Sequence, residues 1–325
     1  MDPLHRRLSL CFIPLLMVAL LTGCRSEPSQ AANLPHRGTG RAPLSPTPPT
    51  AHPPLSPRSI RGDSREVFAQ WLNTSFPQKP DESFGRLLIR IARQQLGKPY
   101  FHEPQTDDPE ELSIVLDTFQ CVSLVETSLS LARCIWKASP DEECFVNEVR
   151  NSRYRDGALE GYSSRLHYFY DWLNNNMERG RLIPLTRELG GAPFKRPSNA
   201  PLFSIMTERP ERYPALLNPT TYSHIELVEN ALNKETVYVL RENQLKGLSP
   251  HLRDGDLVAV VTTSRGILIS HTGFIIKAPD GRSRFLHASS YHKKVVITEN
   301  DIADYIERKS NRLGIIVYRP EPPEL

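Results

Sequence analysis

The spacing of apolar residues changes twice along the chain. Residues 8–21 form a nearly continuous apolar run, broken by Ser9 and Pro14 and preceded by His5-Arg6-Arg7. From residue 81 the apolar positions recur every three or four residues. Phe84, Leu87, Leu88, Ile91 and Leu96 predict a helix that Asp81-Glu82-Ser83 can cap. Gly97 ends it, with Pro99 beyond. A second helix is predicted from Thr118 to Trp136. Cys121, Leu124, Val125, Ser128, Leu131, Ala132 and Ile135 share its inner face. Asp141 to Arg150 and the aromatic-rich stretch Arg165 to Met177 predict two more helices. Beyond Thr236 the apolar runs become short and β-branched. They predict strands at Thr236–Leu240, Asp256–Thr263, Ile267–Lys277, Phe285–Ser289, Lys294–Thr298 and Gly314–Arg319. Turns fall at Asp254-Gly255 and Pro279-Asp280-Gly281, and a short helix at Asn300–Arg308. Helices first and an antiparallel sheet afterwards give an α+β fold.

The apolar run at the front is too short to span a bilayer comfortably and follows a basic segment, as in a secretory signal. Leu21-Thr22-Gly23-Cys24 closes it and resembles a bacterial lipobox, which implies lipidation of Cys24. The next residue is Arg25 rather than Asp, which by the same resemblance implies the outer membrane, facing the periplasm. Eleven of the 29 prolines lie in the first 57 residues. Residues 24–65 carry almost nothing large and apolar to bury, so an extended disordered tether is expected there. About 40 residues at ~3.1 Å each would reach on the order of 100 Å. The expected division is thus a signal at 1–23, a tether at 24–65 and one globular domain at 66–325. Residues 1–65 hold eight arginines and three acids, so the whole-chain charge of +3 belongs to the front. The remainder is near neutral, which excludes general nucleic-acid binding through a basic face. Composition, at 39% hydrophobic and 24% charged, is that of a globular protein and excludes collagen-like, coiled-coil and polytopic membrane classes.

Cys11 is expected to leave with the signal and Cys24 is the candidate lipid site, which leaves Cys121, Cys134 and Cys144 in a disulfide-permissive setting. Three is odd, so at least one is unpaired within the chain. A Cys134–Cys144 bridge would leave Cys121 free, although spacing alone does not establish it. Cys121 lies near the start of a predicted helix, where N–H groups and the helix dipole favour thiolate. A nucleophile there needs a base and a group to orient the base. His271 and His287 on neighbouring strands are the candidates. Spacing alone favours a buried cysteine and two histidines with satisfied hydrogen bonds. The chain has no His-Glu-x-x-His or Cys-x-x-Cys, so no metal and no cofactor is expected, although His167, His224, His287 and His292 are available to a zinc rival.

The words around these residues add to that reading. Phe119-Gln120-Cys121-Val122-Ser123-Leu124-Val125-Glu126 resembles the Phe-Asp-Cys-x-Thr-Phe-Val-Glu of the N-acetylmuramoyl-L-alanine amidase-like family (DUF1460), within the papain-like NlpC/P60 superfamily. Leu96-Gly97-Lys98-Pro99-Tyr100, Gly255-Asp256-Leu257-Val258, Ser270-His271-Thr272-Gly273 and Leu286-His287-Ala288-Ser289 are similar to the superfamily's further motifs, in order. Arg165 to Leu173, Arg212-Tyr213-Pro214 and Gly180 to Gly191 resemble segments of the amidase-like family itself.

The resemblance implies a papain-like core, a nucleophile helix packed on an antiparallel sheet, with an insertion at about 138–235. It implies Cys121 as nucleophile, His271 as general base, His287 as its orienter and Tyr100 as a site-lining phenol. Arg165, Tyr168 and Arg212 are the expected substrate-binding residues, while Phe169 and Trp172 are expected to pack in the core. Two positions differ from the family's word: Gln120 replaces Asp, and Ser123-Leu124 replaces Thr-Phe. The implied activity is cysteine-dependent hydrolysis of peptidoglycan or muropeptides at the bond between N-acetylmuramic acid and L-alanine. The alternatives are cleavage after γ-D-glutamate by an endopeptidase and a non-catalytic wall-binding lipoprotein.

Overall fold

The computed structural model describes residues 60–61, 63–73, 82–101, 109–196 and 199–324. The signal, Cys24 and the tether as far as residue 59 lie outside the described residues. The packed body begins before the expected boundary at residue 66. Ile60 is buried and bridges Ile114, and the Leu116 N–H donates to Ser64 Oγ at 2.9 Å. Helix α1 (Ser64–Asn73) then buries Phe68 and Trp71, so Ile60 and Ser64 already pack with the body.

Helix α2 (Phe84–Arg93) is capped by Ser83 and buries the predicted stripe, but Leu96 lies past its end and is exposed. Helix α3 (Cys121–Trp136) starts three residues later than expected, which places Cys121 at its first position. Helix α4 (Glu142–Arg153) is capped by Asp141, whose carboxylate accepts the Cys144 N–H at 2.7 Å. Helix α5 (Phe169–Glu178) is shorter than predicted, because residues 165–168 run extended ahead of it. Between it and the sheet lie the short strands β1 (Leu182–Pro184) and β2 (Ala192–Pro193), the single turn α6 (Ile205–Glu208) and helix α7 (Pro219–Leu232). Asn218 caps α7 and Pro219 opens it.

The remaining elements are β3 (Tyr238–Arg241), α8 (Glu242–Leu245), β4 (Leu257–Thr262), β5 (Ile269–Lys277), β6 (Ser283–Ser289), β7 (Lys294–Ile297), α9 (Ile302–Glu307) and β8 (Arg312–Pro320). The sheet is antiparallel, in the order β2-β3-β8-β4-β5-β6-β7, and β1 also pairs with β8. The fold is therefore α+β. Strand β4 is buried along its whole length because both faces of the sheet are covered. Leu257, Ala259 and Val261 join the larger core with α2, α3 and α4, while Val258 and Val260 join a second core with α9. Asp256, fully buried at the entry to β4, accepts two hydrogen bonds from Arg319 at 2.8 and 2.9 Å. The turn before it lies against α2. A Cβ on Gly85 would meet the Asp254 carbonyl at 2.1 Å, so the approach requires glycine. Among the described residues no helix is long and apolar enough to cross a membrane.

Candidate active site

Three segments bring the site together. The strip Gly97–Phe101 is stitched between β7 and the approach to α3. On one side Gly97 N–H donates to Val295 O at 2.9 Å and Tyr100 N–H to Lys293 O at 2.8 Å. On the other, Phe119 N–H donates to Pro99 O at 2.9 Å and Phe101 N–H to Phe119 O at 3.2 Å. Tyr100 is thereby fixed beside Cys121. Gln120 precedes the helix without capping it through its side chain. Ser123 folds back onto this residue: its hydroxyl accepts the Gln120 N–H at 3.1 Å and donates to Gln120 O at 3.2 Å.

On the sheet, Val260 of β4 pairs with His271 while Val261 pairs with Ile269. Ser270 is the extra residue of a β-bulge, which re-aims the strand next to His271. His271 Nε2 and His287 Nδ1 are 2.7 Å apart. His287 is 3% exposed, its ring stacked on Phe285 at 4.8 Å and meeting Tyr305 at 5.2 Å. A hydrogen bond through Nε2 leaves Nδ1 of His271 for proton transfer with a thiol. That role requires the tautomer in which His271 Nε2–H donates to His287.

Tyr100, Gln120, Cys121, His271 and Thr272 line one cavity of about 310 Å³. Aromatic and aliphatic side chains make up much of the rest of its lining, among them Tyr168, Phe169, Tyr170, Phe203, Met206 and Tyr213. No lysine, arginine, aspartate or glutamate lines it. The structure therefore gathers Cys121, Tyr100, His271 and Tyr168 around the cavity, with His287 directly behind His271. Arg165 and Arg212 do not line it. Arg165 donates to the buried Glu110 at 3.1 Å, and Tyr213 rather than Arg212 faces the cavity. Tyr168 presents its ring but not a free phenol, because its hydroxyl donates to Glu229 at 2.5 Å. Trp172 is core, stacked on Phe169 at 5.0 Å, whereas Phe169 is both packed and cavity-lining. The wall at Phe203, Ile205 and Met206 had no motif to reveal it.

The electrostatics differ from the sequence expectation in one respect. The N–H groups of Thr272, Val122 and Cys121 do favour the thiolate, but burial outweighs them and pushes the Cys121 thiol above its ordinary value. Burial, with Arg312 and Lys309 nearby, lowers His271 to about 4. Burial, with His271 and Arg312, lowers His287 to about 2. Thiol and imidazoles are thus all neutral near pH 7. Burial, and then the neighbouring Cys121, raises the Tyr100 phenol, which keeps it a hydrogen-bond donor. Cys134 and Cys144 are joined in a disulfide and Cys121 is free. Among the described residues no group of three His, Cys, Asp or Glu side chains could hold a metal ion.

Several known proteins resemble the chain. A solved N-acetylmuramoyl-L-alanine amidase from Bacteroides uniformis is 30% identical, with a TM-score of 0.67, over 73% of this chain and 99% of its own. A Bacteroides fragilis structure assigned as a candidate xylanase is 31% identical, with a TM-score of 0.65, over 71% and 99%. A DUF1460 protein from Legionella pneumophila shares the fold at 19% identity, with a TM-score of 0.57, over 79% and 93%. None of the curated proteins compared is similar. The family model for N-acetylmuramoyl-L-alanine amidase-like (AmiA-like) proteins matches residues 90–315, a span that runs from α2 through both histidine strands into β8. With that match over most of its length, the chain belongs to the N-acetylmuramoyl-L-alanine amidase-like family, whose name marks it as a hydrolase of amide bonds.

Proposed function

We propose that this chain is a cysteine-dependent peptidoglycan amidase with a papain-like, NlpC/P60-type core, anchored through lipidated Cys24 in the outer membrane and facing the periplasm. The observation that carries the chemistry is the shared cavity: Cys121 at the first turn of α3 and His271, hydrogen-bonded to His287, open onto the same 310 Å³ space. His271 Nδ1 takes the thiol proton as sulfur attacks the amide carbonyl carbon. The Cys121 N–H and the Tyr100 phenol are the donors available to the developing oxyanion. The tetrahedral adduct collapses as His271 returns the proton to the leaving nitrogen. A peptide with a free N-terminal L-alanine departs, leaving a thioester to the muramoyl lactyl group. Water, deprotonated by His271, hydrolyses the thioester and restores the thiol. His287 orients and accepts from His271 throughout.

The aromatic, uncharged cavity suits stacking against a sugar ring and its acyl substituents. A xylanase reaction, by contrast, requires two carboxylates flanking the glycosidic bond, and none lines the cavity. Mass spectrometry of digested muropeptides tests the proposal. Release of free peptide beginning with L-alanine, abolished in Cys121→Ala and retained in EDTA, is the expected result. Cleavage after γ-D-glutamate would assign the endopeptidase alternative, and binding to sacculi without turnover the non-catalytic one. Turnover by Cys121→Ala would end the thiol mechanism.

A further inference from the structure

We infer that Glu229, which lies outside every motif of the sequence, is a positioning residue that sets the fit of substrate in the cavity by holding its far wall. The inference rests on the amidase reading of the site. The wall is the segment Leu202–Thr207, which belongs to no sheet and runs into the short turn α6. Phe203, Ile205 and Met206 of this segment line the cavity. On one side the segment hangs from the β4–β5 loop, where Ser204 N–H and Ile205 N–H both donate to Gly266 O at 3.0 Å. On the other it hangs from two side chains of α7 and its C-cap. Asn233 Oδ1 accepts the Leu202 and Phe203 N–H groups at 2.8 and 3.1 Å, and its amide donates to Phe203 O at 2.7 Å.

Glu229 does the rest, 4% exposed. One carboxylate oxygen accepts the Met206 and Thr207 N–H groups at 3.2 and 3.3 Å and the Tyr168 hydroxyl at 2.5 Å. The other accepts the Thr207 hydroxyl. The carboxylate therefore ties the segment to Tyr168, which lines the cavity from the approach to α5 and whose hydroxyl oxygen also accepts the Met206 N–H at 3.3 Å. Packing of α7 alone does not call for it. Ile225 and Leu232 form the buried apolar stripe of that helix, and an apolar residue at 229 would extend it without burying a charge. The four donors on Glu229 come from the wall and from Tyr168, so its loss frees the wall to drift from Cys121.

Steady-state kinetics of the full chain on a defined muropeptide, beside alkylation of Cys121 by iodoacetamide, provide the test. Glu229→Gln keeps the shape but loses acceptors, and Tyr168→Phe removes the hydroxyl that donates to Glu229 and accepts the Met206 N–H, with little threat to folding. Glu229→Gln should raise KM about tenfold with kcat within about threefold. Tyr168→Phe should move KM the same way by less, and neither should change the alkylation rate. Unchanged KM in both variants would overturn the inference. So would a fall in kcat with slowed alkylation at unchanged KM, which would place the effect at the nucleophile. If Glu229→Gln does not fold, Tyr168→Phe decides alone. Turnover by the wild-type protein separates the two levels: without it the amidase reading fails and the inference falls with it, whereas with it only the variants speak.

Discussion

At the residue scale, the site is built from neutral partners. A cysteine pushed up by burial and a histidine held at about 4 do not exchange a proton at rest. The proton moves only as the substrate carbonyl is attacked, which separates this pair from a preformed thiolate–imidazolium pair. Alkylation of Cys121 should therefore keep rising with pH through and beyond the ordinary thiol range of about 8.5. A plateau of fast alkylation from pH 5 to 8 would show an ion pair and sink this account. The acid limb of kcat/KM should lie near the His271 value of about 4.

Gly273 shows how little room surrounds the histidines. A Cβ there would meet Leu286 O at 2.4 Å and His287 Cβ at 2.9 Å, both on the neighbouring strand. Gly273→Ala should displace His287 from His271. Activity should fall at least tenfold, with about 1–3 kcal/mol lost in stability by denaturant titration. Wild-type kinetics in a folded Gly273→Ala protein would refute the crowding argument.

At the scale of elements, what was legible depended on whether a segment carried its own signal. The α3 face and the two histidine strands were readable because each combines a local pattern with a motif. Helix α7 was not. Its inward stripe reads Ile225, Glu229, Leu232, and a glutamate in the middle breaks the apolar period that marks a helix face. The same residue that hid the helix holds the cavity wall. Arg165 fell to a different cause. Its motif places it near the cavity, but Glu110, distant in sequence, captures its guanidinium. Such pairings have no signature in the local pattern.

The disulfide also acts at this scale. Cys134, near the end of α3, is tied to Cys144 in the first turn of α4, ten residues on. Closing a loop of that length stabilises by about 2.5–3 kcal/mol in the chain-entropy account. A Cys134→Ala/Cys144→Ala protein should lose about that much by urea titration. Its Cys121 should alkylate at the wild-type rate, since the bridge lies at the opposite end of α3 from the nucleophile. A changed alkylation rate would mean that the bridge governs the helix start as well.

Across the whole molecule, buried titratable groups link the site to the stability of the fold. His167, His271 and His287 are lowered to about 3, 4 and 2, chiefly by burial. Each binds fewer protons in the folded than in the unfolded chain between its folded value and the ordinary 6.5, so each makes stability rise with pH in that window. Glu148 behaves likewise at lower pH. Arg181, Arg133 and Lys137 surround it and outweigh its burial, holding it at about 2 against an ordinary 4.5. Its contribution is whole above 4.5 and is lost as pH falls toward 2. Acid should therefore act in two stages. From pH 6.5 downward the histidines should erode stability by up to about 1.4 kcal/mol per pH unit each. Below pH 4.5 the cluster joining α3, α4 and the segment before β1 should fail as well. Urea midpoints measured from pH 7.5 to 3.5 should be level at first, decline from about 6.5 and steepen below about 4.5. His287→Asn should make that decline shallower from about pH 6.5 downward, because it removes a histidine that binds fewer protons in the folded than in the unfolded chain across the whole of that range. A midpoint constant from pH 7.5 to 4.5 in the wild-type protein would mean that the histidine pair is open to solvent, and the neutral thiol–imidazole pair would fall with it.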